Sequence, residues 1–122
     1  MARSVTSIDL SRNPIYNSGD EGHDWIGKMT NLKKLCYSQT YFEYVGVPSQ
    51  ISALTNLMEY DCSYSLYTGP LVGAIFTPLV NLEFLDLSSN LFFGTIPTDF
   101  GGLRSLGRPM QYMQIIWLSF FM

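Results

Sequence analysis

Few residues of this chain stand in spacings that could do chemistry. The densest group is GDEGHDW, residues 19–25, where Asp20, Glu21, His23 and Asp24 could in principle ligate a metal. The segment lacks the Asp-x-Asp-x-Asp-Gly spacing of a calcium loop and offers one histidine where a zinc site needs more. An acidic loop is the simpler reading. Asp99-Phe100-Gly101 matches the magnesium-binding triplet of protein kinases, but no Gly-rich loop, Val-Ala-Ile-Lys or His-Arg-Asp accompanies it. There is no Gly-x-Ser-x-Gly elbow, metal-binding His pair or phosphate loop. The sequence therefore predicts no enzyme, no catalytic residue, no cofactor and no metal.

Composition narrows the remaining classes. The 122 residues suffice for one domain with a real core, and with 47% hydrophobic and only 14% charged residues the chain should fold. A net charge of −3 without a basic patch argues against nucleic acid. The opening MARSVTSIDLS has no apolar core of a secretory signal, and no Asn-x-Ser/Thr sequon occurs. The apolar end MQIIWLSFFM is about half of the roughly 20 residues that a spanning helix needs.

The acidic residues that do recur point to the elements that must position them. Counting Leu82 as position 1 of a unit, Leu85, Leu87, Asn90 and Phe92 take positions 4, 6, 9 and 11. The frame returns as Leu57, Tyr60, Cys62, Ser65 and Tyr67, as Leu32, Leu35, Tyr37, Thr40 and Phe42, and as Val5, Ile8, Leu10, Asn13 and Ile15. Units start at 5, 32, 57 and 82, with Leu106 next in line. Position 7 is serine throughout, at Ser11, Ser38, Ser63 and Ser88, and position 5 is acidic at Asp9, Asp61 and Asp86. A chance apolar pattern would not produce the serine column.

This frame resembles the leucine-rich repeat family, whose unit reads L-x-x-L-x-L-x-x-N/C-x-L. Gly94, Ile96, Pro97, Phe100 and Leu103 are similar to the second half of the plant-type unit, a subclass whose members include receptor-like kinases, receptor-like proteins and polygalacturonase inhibitors. Val47, Pro48, Ile51 and Leu54 repeat that half, as do Gly69, Leu71, Phe76 and Leu79 with Val72 in place of the proline. The resemblance implies an α/β solenoid, a right-handed curved array with a short parallel sheet on its concave face and irregular, 3-10 or short helical segments on its convex face. It also implies a binding role toward a protein or peptide, with carbohydrate as an alternative ligand, and a full-length parent that is extracellular or membrane-attached.

The physics of the unit supports the same architecture. Positions 4 and 6 alternate with polar neighbours as a strand should, and later apolar positions return to the same interior from the far side of a flattened coil. One coil cannot bury that face alone, so coils must stack. Asparagine at position 9 can serve backbone groups left unpaired at the turn. Thr40 and Ser65 do so only in part, so looser middle turns are expected. Positions 2, 3, 5, 7 and 8 should project from the concave face. The candidate ligand-binding residues there are Asp9, Lys34, Glu59, Asp61, Tyr64, Phe84 and Asp86.

Cys36 at position 5 should face outward and Cys62 at position 6 inward, which rules against a disulfide. The repeat domain is expected over 1–106, followed by an apolar tail over 107–122, because a unit starting at Leu106 would put Pro109 and Gln111 at apolar positions. The tail has three readings: a cap, a truncated repeat, or a membrane contact. Self-association through uncapped ends and a receptor fragment without independent activity are the alternative roles.

Overall fold

The computed structural model describes residues 5–13, 24–40, 46–94 and 97, together with the backbone of 113–114. Four strands follow one another at the repeat spacing: β1 (Ser7–Asp9), β2 (Lys34–Cys36), β3 (Glu59–Asp61) and, after the short β4 (Thr68–Pro70), β5 (Phe84–Asp86). They pair in parallel, each with its sequence neighbour in the frame. Ile8 lies beside Leu35, Leu35 beside Tyr60, and Tyr60 beside Leu85. The position 4 column is thus one continuous row through the interior.

Each strand is three residues long because its middle residue alone must reach the core. Leu35, Tyr60 and Leu85 are fully buried while the flanking positions stay at the surface. Leu32, Leu57 and Leu82 and the position 6 residues Tyr37, Cys62 and Leu87 complete that side of the core. From the other side come Ile26 and Met29, Ile51 and Leu54, and Phe76 and Leu79. They sit on or just after the 3-10 helices Ile26–Lys28 and Ser49–Ala53 and the single-turn α1 (Gly73–Phe76), which pack on one another along the outer side. Burying one such aliphatic side chain contributes about 1.5–3 kcal/mol, and each gains that only when the next coil is in place.

A second, two-stranded sheet joins β4 to β6 (Leu91–Phe93). It pairs Gly69 with Phe92, an offset of 23 residues where β3 and β5 are offset by 25. Leu66, with φ of 60°, takes an additional left-handed step in the turn that leads to β4. Gly69 and Gly94 both stand at position 13 with φ near 90°, a conformation that explains why glycine recurs there.

The turns after β1, β2, β3 and β5 share a feature that the apolar frame does not contain. Position 8 is left-handed every time, at Arg12, Gln39, Tyr64 and Ser89, with φ from 54° to 63°. Its N–H donates to the position 7 carbonyl of the next coil, from Arg12 to Ser38, Gln39 to Ser63 and Tyr64 to Ser88, at 2.9–3.1 Å. The left-handed step keeps the ladder running where the strand has already ended.

Among the described residues the middle turns are not looser at Thr40 and Ser65, contrary to the expectation. Both side chains are fully buried. The Thr40 hydroxyl donates to the Tyr37 carbonyl at 2.7 Å, and the Ser65 hydroxyl lies 2.9 Å from the same carbonyl and 3.2 Å from Thr40 Oγ1. Asn90 supplies what the Ser65 hydroxyl lacks: its Oδ1 accepts from the N–H groups of Ser65 and Tyr67, and its Nδ2 donates to the Cys62 carbonyl at 2.8 Å. One asparagine therefore satisfies the preceding coil as well as its own. A second ladder runs at the residue before the third and fourth units, where Asn56 donates to the Thr30 carbonyl and Asn81 to the Thr55 carbonyl, each at 3.0 Å.

Beyond β5 the five-stranded sheet continues with β7 (Met113–Gln114), again parallel, with Leu85 beside Met113. A unit starting at Leu106 would put position 4 at 109. The observed register puts it at 113.

Candidate functional site

The strand residues flanking each buried position form the polar face of the main sheet. Position 3 presents Ser7, Lys34, Glu59 and Phe84 side by side, and position 5 presents Asp9, Cys36, Asp61 and Asp86. Neighbouring carboxylates on adjacent strands repel one another. Their geometry shows what holds them. In each acidic unit the position 5 carboxylate accepts from the N–H of the serine two residues on: Asp9 from Ser11 at 2.9 Å, Asp61 from Ser63 and Asp86 from Ser88 at 3.0 Å. The hydroxyls of Ser63 and Ser88 donate to the same carboxylates. Aspartate thus caps its own turn, which joins the acidic column to the serine column.

In the second unit Cys36 replaces the acid. Its thiol lies 2.8 Å from Ser11 Oγ and 3.8 Å from both Ser38 Oγ and Asp61 Oδ2, so it sits between two capped aspartates. The hydrogen bonds from Ser11, side chain first and backbone second, hold the Asp9 carboxyl below the usual carboxylate range. Lys34 Nζ and Glu59 Oε2 are 3.3 Å apart, both about half exposed. That pair contributes about 0.2–1 kcal/mol at most to stability and serves mainly to fix two long side chains.

These residues surround a shallow hollow of about 300 Å³ lined by Asp9, Lys34, Leu35, Cys36, Glu59, Asp61 and Phe84. Five of the seven candidate residues line it. Tyr64 and Asp86 do not: Tyr64 is exposed on the left-handed turn after β3, and Asp86 lies half-buried on β5, occupied by its serine cap. Cys36 is a lining residue that the candidate set omits, although its place in the acidic column marks it. A smaller hollow of about 230 Å³ lies beside the first, lined by Lys33, Asn56, Met58, Asn81 and Glu83.

Away from the main sheet, Leu91 and Phe93 stand exposed on β6. Cys62 is buried and Cys36 half-buried, both free thiols. Burial pushes the Cys62 thiol far above its ordinary range, and burial does the same to the hydroxyls of Tyr37, Tyr60 and Tyr67. Tyr37 meets Tyr60 edge to face at 6.5 Å, and Tyr67 stacks on Phe92 at 6.3 Å. Of the acidic loop, Asp20, Glu21 and His23 lie outside the described residues, and Asp24 accepts from Gln50 Nε2 at 3.0 Å. Among the described residues no group of three His, Cys, Asp or Glu could hold a metal ion, and no helix is long and apolar enough to cross a membrane.

Parallel coils, an in-register apolar column and a polar sheet face define a curved leucine-rich repeat solenoid. The chain belongs to the leucine-rich repeat family, in its plant-type subclass. The family model Leucine Rich Repeat matches residues 81–103. Receptor-like protein 7 of Arabidopsis thaliana is 31% identical over 104 residues, which is 85% of this chain and 10% of that protein. The chain therefore spans about a tenth of the length of the curated relative it matches. Among solved structures, it is similar to the Arabidopsis receptor kinase HAESA, crystallised with the peptide hormone IDA and the co-receptor SERK1, at 28% identity and a TM-score of 0.74 over 83% of this chain and 16% of that one. The plant peptide hormone receptor RGFR1, in complex with RGF2, is 27% identical with a TM-score of 0.73 over 84% of this chain and 16% of that one.

Proposed function

We propose that this chain is a non-catalytic recognition module that binds a peptide or protein segment across the concave face of its sheet. The observation that carries the reading is the hollow on that face, which gathers Asp9, Lys34, Glu59, Asp61 and Phe84 from four strands into one site. The sheet places them there because position 3 and position 5 residues of every coil project to the same side. Repeat solenoids present extended concave surfaces of this kind, and an extended peptide can cross several coils at once. Structures of relatives with peptide hormones favour a peptide over a carbohydrate. By the same likeness, the module belongs to an extracellular or membrane-attached receptor, in which the repeat domain covers 1–106. The pairing of Met113–Gln114 with β5 adds one strand to the sheet beyond that domain.

The test is a selection of displayed peptides against the full chain, repeated with the variant Asp61→Ala/Phe84→Ala/Asp86→Ala. Loss of the selected binders in the variant, with the circular dichroism spectrum retained, supports the concave face. Undiminished binding removes it as the site.

A further inference from the structure

The hollow has a charge balance that selects among peptides. Resting on the concave-face reading, we infer that it takes a basic side chain of the peptide, arginine in preference to lysine, between the carboxylates of Asp9 and Asp61 and the ring of Phe84. Three carboxylates, those of Asp9, Glu59 and Asp61, line it against the single ammonium of Lys34. Lys34 pairs with Glu59 at 3.3 Å and acts on Asp9 only as a minor charge, and among the described residues neither Asp9 nor Asp61 forms an ion pair.

The two aspartates are also held in place. One oxygen of each is fixed by the serine N–H two residues on, so the carboxylates need no reordering when a cation arrives. Among the described residues the second oxygen of Asp61 meets the Cys36 thiol, a weak donor at 3.8 Å, and a guanidinium would replace it with a far stronger one. Phe84 is half-buried on β5, beside Glu59 in register, and supplies an apolar wall to the hollow that the two aspartates also line. A planar guanidinium can lie along an aromatic face while its edge meets a carboxylate, a combination that a lysine ammonium reproduces less well. With about 300 Å³ the hollow sits at the lower end of ligand-pocket sizes, suited to one side chain of a longer ligand. A glutamate or aspartate side chain entering it would meet uncompensated like charge.

The decisive experiment is an amide NMR titration of the ¹⁵N-labelled full chain with N-acetyl-arginine N-methylamide and its lysine and glutamine counterparts. The arginine compound should shift the amides around Asp9, Cys36, Asp61 and Phe84, binding about tenfold more tightly than the glutamine compound. Its binding should weaken severalfold between about 50 and about 300 mM salt. Asp9→Asn/Asp61→Asn should cost about tenfold, the asparagine oxygens still accepting from the serines, so that the turns persist. Phe84→Leu, which keeps an apolar wall, should remove the preference for arginine over lysine, and Glu83→Gln in the neighbouring hollow should leave binding unchanged. Equal binding of the glutamine compound, or arginine binding undiminished by the double asparagine variant, overturns the inference. A peptide selected against the chain separates this from the broader reading. If it carries no basic residue and still shifts these amides, the cation preference falls and the concave face stands; if no selected peptide moves them, both fall.

Discussion

Replacement of Asn90 by alanine tests the internal ladder at its most loaded point. The asparagine is 5% exposed, and its amide accepts from the N–H groups of Ser65 and Tyr67 at 3.0 and 3.1 Å. It donates to the carbonyls of Cys62, Leu87 and Ser88 at 2.8, 3.1 and 3.2 Å, two protons shared over three acceptors. Ser65 and Tyr67 are fully buried, so water cannot replace Oδ1 without opening the turn. Leaving a buried donor or acceptor bare costs about 1–3 kcal/mol each, and the substitution removes Asn90 from three such groups at once, the two N–H groups and the Cys62 carbonyl. The expected loss is about 3–5 kcal/mol after partial relaxation, a large share of the roughly 5–15 kcal/mol that a domain has in total. In a urea titration with a slope of about 1.5 kcal/mol/M, the midpoint should fall by about 2–3 M. Asn13→Ala is the internal comparison. Asn13 occupies the same position of the first coil, is exposed, and among the described residues donates to Leu10 and Ser11 of its own coil, so its loss should cost less than about 1 kcal/mol. If the two variants lose equal stability, the inter-coil role of Asn90 is wrong.

Three further outcomes follow from the geometry. Tyr64 holds φ of 54° with its side chain exposed, so Tyr64→Asn should stabilise by about 1 kcal/mol and raise the melting temperature by a few degrees in a thermal scan. A thiol reagent should modify Cys36 in the native protein and leave Cys62 untouched until denaturant is added; modification of both at one rate would contradict the burial of Cys62. Because burial raises the hydroxyls of Tyr37, Tyr60 and Tyr67 in the folded chain, their contribution is fully present below the unfolded tyrosine value of about 10 and is lost as pH rises above it. Absorbance at 295 nm should therefore rise in two stages, the second coinciding with loss of the circular dichroism signal.

Much of this architecture was legible because the sequence repeats. Leu35, Tyr60 and Leu85 share one position of the frame, and the coordinates put them in one row; the same count separates Cys36 from Cys62 by a single residue and hence by a face. The acidic column was legible as well, and Asp9, Asp61 and their neighbours on position 3 meet in one hollow. What escaped has physical reasons. A left-handed backbone at Arg12, Gln39, Tyr64 and Ser89 is invisible in side chains that share no property; at Arg12, Gln39 and Tyr64 the step serves hydrogen bonding to the next coil and not a local preference. The tightness at Thr40 and Ser65 is invisible in their own side chains because the missing bonds come from the next coil, from Ser65 to the Tyr37 carbonyl and from Asn90 to the N–H groups of Ser65 and Tyr67. The offset of the second sheet depends on the extra turn at Leu66, and apolar spacing carries no mark of it. The strand at Met113–Gln114 escaped because the frame carried on from Leu106 places its apolar positions at Pro109 and Gln111.

Photo-crosslinking compares the two surfaces that could meet a ligand. A benzophenone amino acid would replace Phe84 on the main sheet in one variant and the exposed Phe93 on the second sheet in another, each irradiated with a peptide selected against the native chain. Recognition through the concave face requires capture from position 84 and little from position 93. Capture from 93 alone would move the binding surface to the side of the solenoid and refute the functional assignment.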